Sequence, residues 1–315
     1  MTEPLFLKPV FKDRIWGGTQ LHHVFDYDIP SETTGECWGI SAHPHGPCEI
    51  VNGPLQGQTL DHVWDTHPEL FGHFKSKEFP LLTKILDART DLSVQVHPDD
   101  RYAQEVEHVP YGKTECWYVI DAEPGAEIVY GHHAGSPEEF REKVESGDWD
   151  ALLRKVKVKA GDFFYVPSGT IHAIGGGILI LETQQNSDIT YRVYDYDRKD
   201  ADGNARELHI DSSIAVTTYP HQDPKLDFKV TKQEGATVTE LVSESNFTVY
   251  HVTLDGIVTS TQTQPFLLVS ILDGGGSLTT NGQTFTIKKG DHFLLPATLG
   301  QFDVQGTCQA IVSHP

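Results

Sequence analysis

Apolar and polar residues alternate through Leu92-Ser93-Val94-Gln95-Val96-His97-Pro98. This predicts a strand closed by proline, with Gln95 and His97 on one face because side chains alternate with period two. Thr114-Glu115-Cys116-Trp117-Tyr118-Val119-Ile120 is a second β-rich run. Apolar or alternating stretches at 155–158, 162–166 and 177–183, each bounded by Gly or Pro, predict further strands. From about residue 226 the pattern is almost wholly strand and turn. Turns are expected at Asp273-Gly274-Gly275-Gly276 and at Asn281-Gly282, the latter a strong hairpin signal. Helical signals are few. Ser136-Pro137-Glu138-Glu139 has the capping-box pattern with proline at the first helical position, followed by Phe140 and Val144. A second short helix at 148–153 completes a helical insertion over about 136–154. One or two short helices are expected over 59–71, interrupted at Pro68, and another over 99–105.

One cassette occurs twice. Residues 161–172 read GDFFYVPSGTIH and residues 290–301 read GDHFLLPATLGQ, so Gly-Asp, Phe164 and Phe293, and Pro167 and Pro296 recur at identical offsets. A repeated module points to one structural unit used twice. The first copy ends in His172 and the second in Gln301, which marks His172 as chemistry kept in one half only. The fold class expected is mainly β: two antiparallel β-sandwich or jelly-roll units, with a small helical insertion in the N-terminal part. The boundary falls in the polar stretch 220–225, giving units 1–222 and 223–315. The first 50 residues are assigned to neither unit by pattern alone.

Composition narrows the function. The chain has 315 residues and a formal charge of −21, which argues against nucleic acid, whose binding rests on neutralising phosphates with Lys and Arg. A local cation cluster can still hold one small phosphate, since screening limits distant charge to a reach of about 8 Å. The four cysteines, Cys37, Cys48, Cys116 and Cys308, form no C-x-x-C pair, so no disulfide framework or zinc ribbon is expected. The N-terminal residues carry no basic, then apolar, leader pattern, and no window approaches 18 consecutive apolar residues. A cytoplasmic chain with no membrane segment is the expectation.

Gln95, His97, Glu115 and His172 are the candidate metal ligands. Two imidazoles, a carboxylate and an amide oxygen suit a borderline divalent cation, with a position left open for substrate. Lys113, two residues before Glu115, should face the same cavity. Asp188 and Arg192, four apart, share a face if their segment is a strand.

With the Gln-x-His strand, the Lys-x-Glu strand and the Gly-Asp…Pro…His cassette, the chain resembles the type I mannose-6-phosphate isomerases, zinc enzymes of the cupin superfamily. The resemblance extends through Arg14-Ile15-Trp16-Gly17-Gly18, Glu36-Cys37-Trp38-Gly39-Ile40-Ser41-Ala42-His43-Pro44, Phe79-Pro80-Leu81-Leu82-Thr83-Lys84-Ile85-Leu86 and 186–198. It covers residues 4 to 200, with the C-terminal unit as a second cupin. The short length looks like the Bacillus-type branch. Lys113-Thr114-Glu115-Cys116 stands where long forms carry Lys-Pro-Glu-Met.

The resemblance implies one Zn²⁺ per chain on Gln95, His97, Glu115 and His172, with Gln95 either a ligand or a partner of bound water. It implies Arg192 as the active-site arginine and Lys113 as a lysine facing the same cavity as Glu115; Lys84, Ser93 and Arg198 are phosphate candidates, and Glu182, on the segment leading to Arg192, is a candidate to line the pocket or to serve the structure. Asp188 would orient Arg192 or move a proton. The reaction implied is interconversion of mannose 6-phosphate and fructose 6-phosphate through a cis-enediol, with Glu182, Asp188, a metal-bound hydroxide or neutral Lys113 as the base. The partner expected is a hexose 6-phosphate, with no obligate protein partner. Two alternatives stand beside this: an Fe(II) oxygenase using His97, Glu115 and His172 as a facial triad, and a non-catalytic cupin that binds sugar phosphate.

Overall fold

The computed structural model describes residues 2–199 and 203–315. It is mainly β, with three antiparallel sheets stacked in layers. The middle sheet has six strands, in the order Phe163–Val166, Glu115–Ala122, Ile178–Gln185, Leu81–Ala88, Thr34–Ile40 and Val10–Gly18. Both its central strands, Leu81–Ala88 and Ile178–Gln185, are buried at every residue, as a strand covered on both faces must be. One face meets a five-stranded sheet ordered Tyr191–Tyr194, Val94–Val96, His172–Ile174, Glu127–His132 and Leu153–Lys157. Trp16, Leu86, Trp117, Val119, Ile128, Tyr130 and Ile180 fill the space between them. The other face packs on a nine-stranded C-terminal sheet through Cys37, Ile85, Leu181, Leu241, Phe247, Leu268 and Leu294.

The first 50 residues divide between layers. Leu5–Lys8 pairs with His292–Pro296 and with Glu49–Ile50 at one edge of the nine-stranded sheet, whereas Val10–Gly18 and Thr34–Ile40 extend the middle sheet. The chain therefore begins by tying the two halves together.

The repeated cassette has one shape in both halves. Gly161 and Gly290 both sit at positive φ in the turn, and each is followed by a strand, Phe163–Val166 or His292–Pro296. A short loop then leads to a strand that opens at His172 or at Gln301. His172 is buried and Gln301 exposed.

The helices follow their caps. Ser136 accepts the Glu139 N–H and heads Pro137–Ser146, which closes at Gly147 in the left-handed region. Glu139 reaches back to the Gly135 N–H rather than to that of Ser136. Asp148 caps Trp149–Leu152. Leu60–Thr66 and a 3₁₀ turn at Pro68–Phe71 break at proline, and Asp99 caps Asp100–Tyr102, which runs on into a π turn. Gln20–Phe25 and Ile210–Val216 are further short helices that the sequence pattern does not announce.

Asn281-Gly282 forms the expected two-residue hairpin, both residues at positive φ between Thr280 and Gln283. The turn expected at Asp273-Gly274-Gly275-Gly276 is absent: strand Phe266–Thr280 runs straight through it with a bulge between Ile271 and Asp273. The glycines are there for close approach. Gly256, Gly306 and Gly276 pair across three strands, and a Cβ on Gly276 would lie 2.0 Å from the Gln305 carbonyl oxygen. Gly276→Ala should therefore destabilise the fold by about 2–3 kcal/mol through backbone displacement. Chemical denaturation checks this; a loss below about 0.5 kcal/mol would contradict the close-packing reading.

Candidate active site

Two cross-strand rows face one another across the first sandwich. On the five-stranded sheet, His172, Gln95 and Arg192 stand in register on three neighbouring strands. On the middle sheet, Trp117, Glu182, Lys84 and Trp38 form a row across four. Directly opposed residues sit about 4.5–5.5 Å apart, so register alone assembles most of the site. Glu115 joins Trp117 on one face by period two, and Lys113, in the loop that leads into this strand, lines the same cavity. Between the rows lies a cavity of about 640 Å³.

At its floor, His97, Glu115 and His172 are each no more than 1 % exposed. His97 Nε2 lies 3.4 Å from Glu115 Oε2, and His172 Nε2 lies 3.4 Å from Glu115 Oε1. The other imidazole nitrogens are committed. His97 Nδ1 is 2.7 Å from the Ile189 carbonyl oxygen and His172 Nδ1 is 2.8 Å from that of Thr170. Both must donate there, which fixes the tautomer and turns both Nε2 lone pairs inward, the usual orientation of metal-binding histidines. Donor separations of this size match ligands about 2.1 Å from a shared tetrahedral ion. Glu115 Oε2, fully buried, accepts no hydrogen bond of good geometry. The donor set therefore fits a divalent metal. The Gln95 amide nitrogen is 3.4 Å from His172 Nε2; rotating that amide by half a turn would present its oxygen instead.

Electrostatics sharpen the picture. Burial, then the Lys113 charge, pushes His97 down to about 3, and burial lowers His172. Both are neutral at pH 7, as ligation requires. Burial alone would raise the Glu115 carboxyl, yet the Lys113 charge and the two imidazoles hold it well below the usual range. Lys113 Nζ is 2.7 Å from Glu115 Oε2 and 3.2 Å from His97 Nε2. Burial pulls the lysine down, but Glu115, Glu182 and Glu36 together raise it. Glu182 goes the other way: burial, then the Glu115 charge, raises it. Trp117 Nε1 donates to both carboxylates, at 3.0 Å to Glu115 and 3.1 Å to Glu182, and Lys84 Nζ is 3.7 Å from Glu182.

Above this floor the wall is cationic. Arg192 donates to Ser93 Oγ at 3.2 Å and to the Glu207 carbonyl oxygen at 2.9 Å. Its guanidinium is lowered first by burial and then by the charge of Arg206. Arg206 also lines the cavity and is clamped by two contacts to Asp195, at 2.8 and 2.6 Å. Lys12, Arg14, Lys84, Lys113, Arg192 and Arg206 give the lining six cations against the four carboxylates Glu36, Glu115, Glu182 and Asp188. In a chain of charge −21 this is a local reversal of sign.

Two expected placements differ. Arg198 does not line the cavity. It donates to the Asp91 and Asp195 carbonyl oxygens and to the Asp195 carboxylate, and stacks on Tyr196. Asp188 lies outside any strand, so the four-residue spacing to Arg192 carries no face rule, and its carboxylate is engaged elsewhere. His45 Nδ1 is 2.7 Å from Asp188 Oδ2 and His43 Nε2 is 3.8 Å from Oδ1. Gln95, His97, Glu115, His172, Lys113, Glu182, Lys84, Ser93 and Arg192 converge as read. Arg206 and His45 were missed. The signal for Arg206 was a cation eleven residues beyond a buried aspartate, and for His45 a histidine two residues beyond His43.

Comparison with known proteins agrees with this geometry. The family profile described as phosphomannose isomerase type I, catalytic domain, matches residues 5–121, and that of the mannose-6-phosphate isomerase cupin domain matches residues 237–315. The chain is 53 % identical to the mannose-6-phosphate isomerase ManA of Bacillus subtilis over 99 % of both chains. It is 55 % identical to the mannose-6-phosphate isomerase of Streptococcus mutans, over 100 % of this chain and 99 % of that one. The crystal structure of the mannose 6-phosphate isomerase from Bacillus subtilis superposes with a TM-score of 0.98 at 51 % identity, covering 100 % of each chain.

Proposed function

The chain belongs to the type I mannose-6-phosphate isomerase family, and from that premise we propose that its cavity interconverts mannose 6-phosphate and fructose 6-phosphate through a cis-enediolate, with one zinc ion held by His97, Glu115, His172 and Gln95. The observation that carries this is the pair of buried imidazoles, both Nδ1 protons donated to backbone and both Nε2 atoms turned on one carboxylate. Zinc accepts this donor set and, when bound, supplies a positive charge that polarises the substrate carbonyl.

The rest is the work of side chains. Lys113, kept protonated by Glu115, offers charge and donors to the oxygen that becomes negative. Glu182 is the base. Its raised carboxyl sits beside Lys84 and Trp117, and two carboxylates pushed in opposite directions mark a division of roles. Glu182 takes the proton from C2 of the aldose and returns it to C1. Lys113 gives a proton to O1 and receives the one from O2, so the isomerisation balances. Ser93, Arg192 and Arg206 face the phosphate, with Lys84 closer to the reacting carbons. Among the described residues no lining group lies beyond Arg206. The C-terminal unit, 223–315, thus backs the middle sheet and leaves the chemistry to 1–222.

The test is conversion of each hexose phosphate by zinc-loaded protein in D₂O, followed by NMR. Conversion in both directions with deuterium entering C1 of fructose 6-phosphate is expected. No conversion of either sugar, or oxygen consumption with iron in place of zinc, would overturn the reading. Arg206→Ala should raise KM for mannose 6-phosphate by about 10- to 100-fold, the worth of a charge-assisted hydrogen bond, with kcat changed less than about twofold. Steady-state kinetics check it; an unchanged KM would remove Arg206 from the phosphate site.

A further inference from the structure

The tripeptide Glu-Cys-Trp occurs twice, at 36–38 and at 115–117. Both copies lie on strands of the middle sheet. In each, period two puts glutamate and tryptophan on one face, and the indole N–H reaches back to the carboxylate. Trp38 Nε1 donates to Glu36 Oε2 at 2.6 Å, and Trp117 Nε1 donates to Glu115 Oε1 at 3.0 Å. The cross-strand row Trp117, Glu182, Lys84, Trp38 sets the two copies on either side of the Glu182–Lys84 pair. They differ in what the glutamate meets. Glu36 pairs with Arg14 at 2.9 and 3.1 Å, whereas Glu115 stands between His97 and His172.

Trp117 also serves a second carboxylate. Its Nε1 is 3.1 Å from Glu182 Oε2, and an indole has a single N–H to give, so that proton is shared. Among the described residues this is the only hydrogen bond of the Glu182 carboxylate, whose Oε1 makes none. The donor itself cannot turn. Its ring is buried in one cluster with Leu86, Val119 and Ile180 and makes an edge contact with His172. Lys113 meets the other oxygen of Glu115 at 2.7 Å, so both oxygens of that carboxylate are held. We propose that Trp117 is the positioning residue of the centre: its one N–H aligns the Glu115 carboxylate for the metal and the Glu182 carboxylate for the carbon-bound proton. This rests on the isomerase reading above and deepens it. Hydrogen bonds that orient a ligating side chain are worth about 10- to 100-fold in metal affinity, and a reacting group displaced by about 1 Å loses on the order of 10²-fold in rate. Trp38 makes the same bond to a carboxylate paired with arginine, and so has no part in holding the metal.

The experiment measures zinc affinity by competition with a chromophoric chelator, with no turnover involved, in wild type, Trp117→Phe and Trp38→Phe. Phenylalanine keeps an aromatic ring and removes the N–H. Trp117→Phe should bind zinc about 10- to 100-fold more weakly, and Trp38→Phe as wild type does. At saturating zinc, kcat of Trp117→Phe with mannose 6-phosphate should still be down by about 10- to 100-fold with KM little changed, since the same N–H aligns the base. Replacing all five tryptophans biosynthetically with benzothienylalanine, which keeps the indole shape and puts sulfur in place of the N–H, should weaken zinc to the same degree. That protein carries the test even where Trp117→Phe does not fold. Wild-type zinc affinity in Trp117→Phe or in the benzothienyl protein, or equal weakening in Trp117→Phe and Trp38→Phe, would overturn the proposal and leave the isomerase reading untouched. Zinc binding that only the Trp117 change weakens, with no conversion of either sugar by wild type, would remove the isomerase reading and keep the positioning role. A wild type that binds no zinc overturns both.

Discussion

His172→Ala is expected to fold, to lose its zinc, and to lose on the order of 10³-fold or more in kcat/KM. The loss is large because one side chain supports both the metal and the transition-state charge it stabilises. With His172 gone, Glu115 keeps Lys113 at 2.7 Å and His97 at 3.4 Å, an arrangement already neutralised without an ion. Folding should survive, since the imidazole makes one backbone hydrogen bond, to Thr170, and its other contacts, with Trp117, His97, Glu115 and Gln95, are all within the site. Circular dichroism, metal analysis and kinetics on one preparation check all three expectations. Gln301, at the same place in the second cassette, is exposed, and Gln301→Ala should change none of them. A His172→Ala protein with bound zinc and near-normal turnover would dismiss the residue as a ligand.

Glu182→Gln should cost about 10²- to 10⁴-fold in kcat, as expected of a lost general base, with KM nearly unchanged. The amide keeps the size of the carboxyl and can still accept from Trp117 Nε1, so binding is preserved while proton transfer is not. The pH profile carries the sharper signature. A base works only when deprotonated, and burial raises this carboxyl first, with the Glu115 charge second. Wild-type kcat should therefore fall on the acid side at a pH above the ordinary glutamate value of about 4.3, losing activity as pH drops through the raised value. In Glu182→Gln that limb should be gone from the residual rate. A Glu182→Gln enzyme with normal kcat, or an acid limb unchanged by the substitution, would pass the role to Lys113.

Much of the site was legible because β-structure translates spacing into position. Gln95 and Glu115 lie in the expected strands, His97 and Lys113 stand just beyond the ends of those strands and still meet Glu115, and the lost histidine of the repeat singled out His172 without any metal in view. What spacing could not give is which strands become neighbours. His172, Gln95 and Arg192 stand in one row only because three strands far apart in sequence pair in that register. Asp188 was read as a strand residue and therefore paired on paper with Arg192. Its segment is irregular, and a histidine 143 residues away in sequence takes its carboxylate. Arg198 and Arg206 look alike in the sequence; Asp195 holds both, and only Arg206 is left facing the cavity. The glycine run 273–276 read as a turn because glycine serves turns and close strand contacts equally well, and only the opposing Gln305 carbonyl tells them apart.

Zinc titration of the stripped chain is the most direct measurement of whether the His97, Glu115 and His172 set is the working centre. Protein freed of metal with a chelator should convert no mannose 6-phosphate. Activity should then rise in proportion to bound zinc and level off at one ion per chain, with Glu115→Gln failing to recover at any zinc level. Full conversion by the stripped protein, or recovery that continues well past one ion per chain and is equal in Glu115→Gln, would show that this buried triad is not where the metal acts.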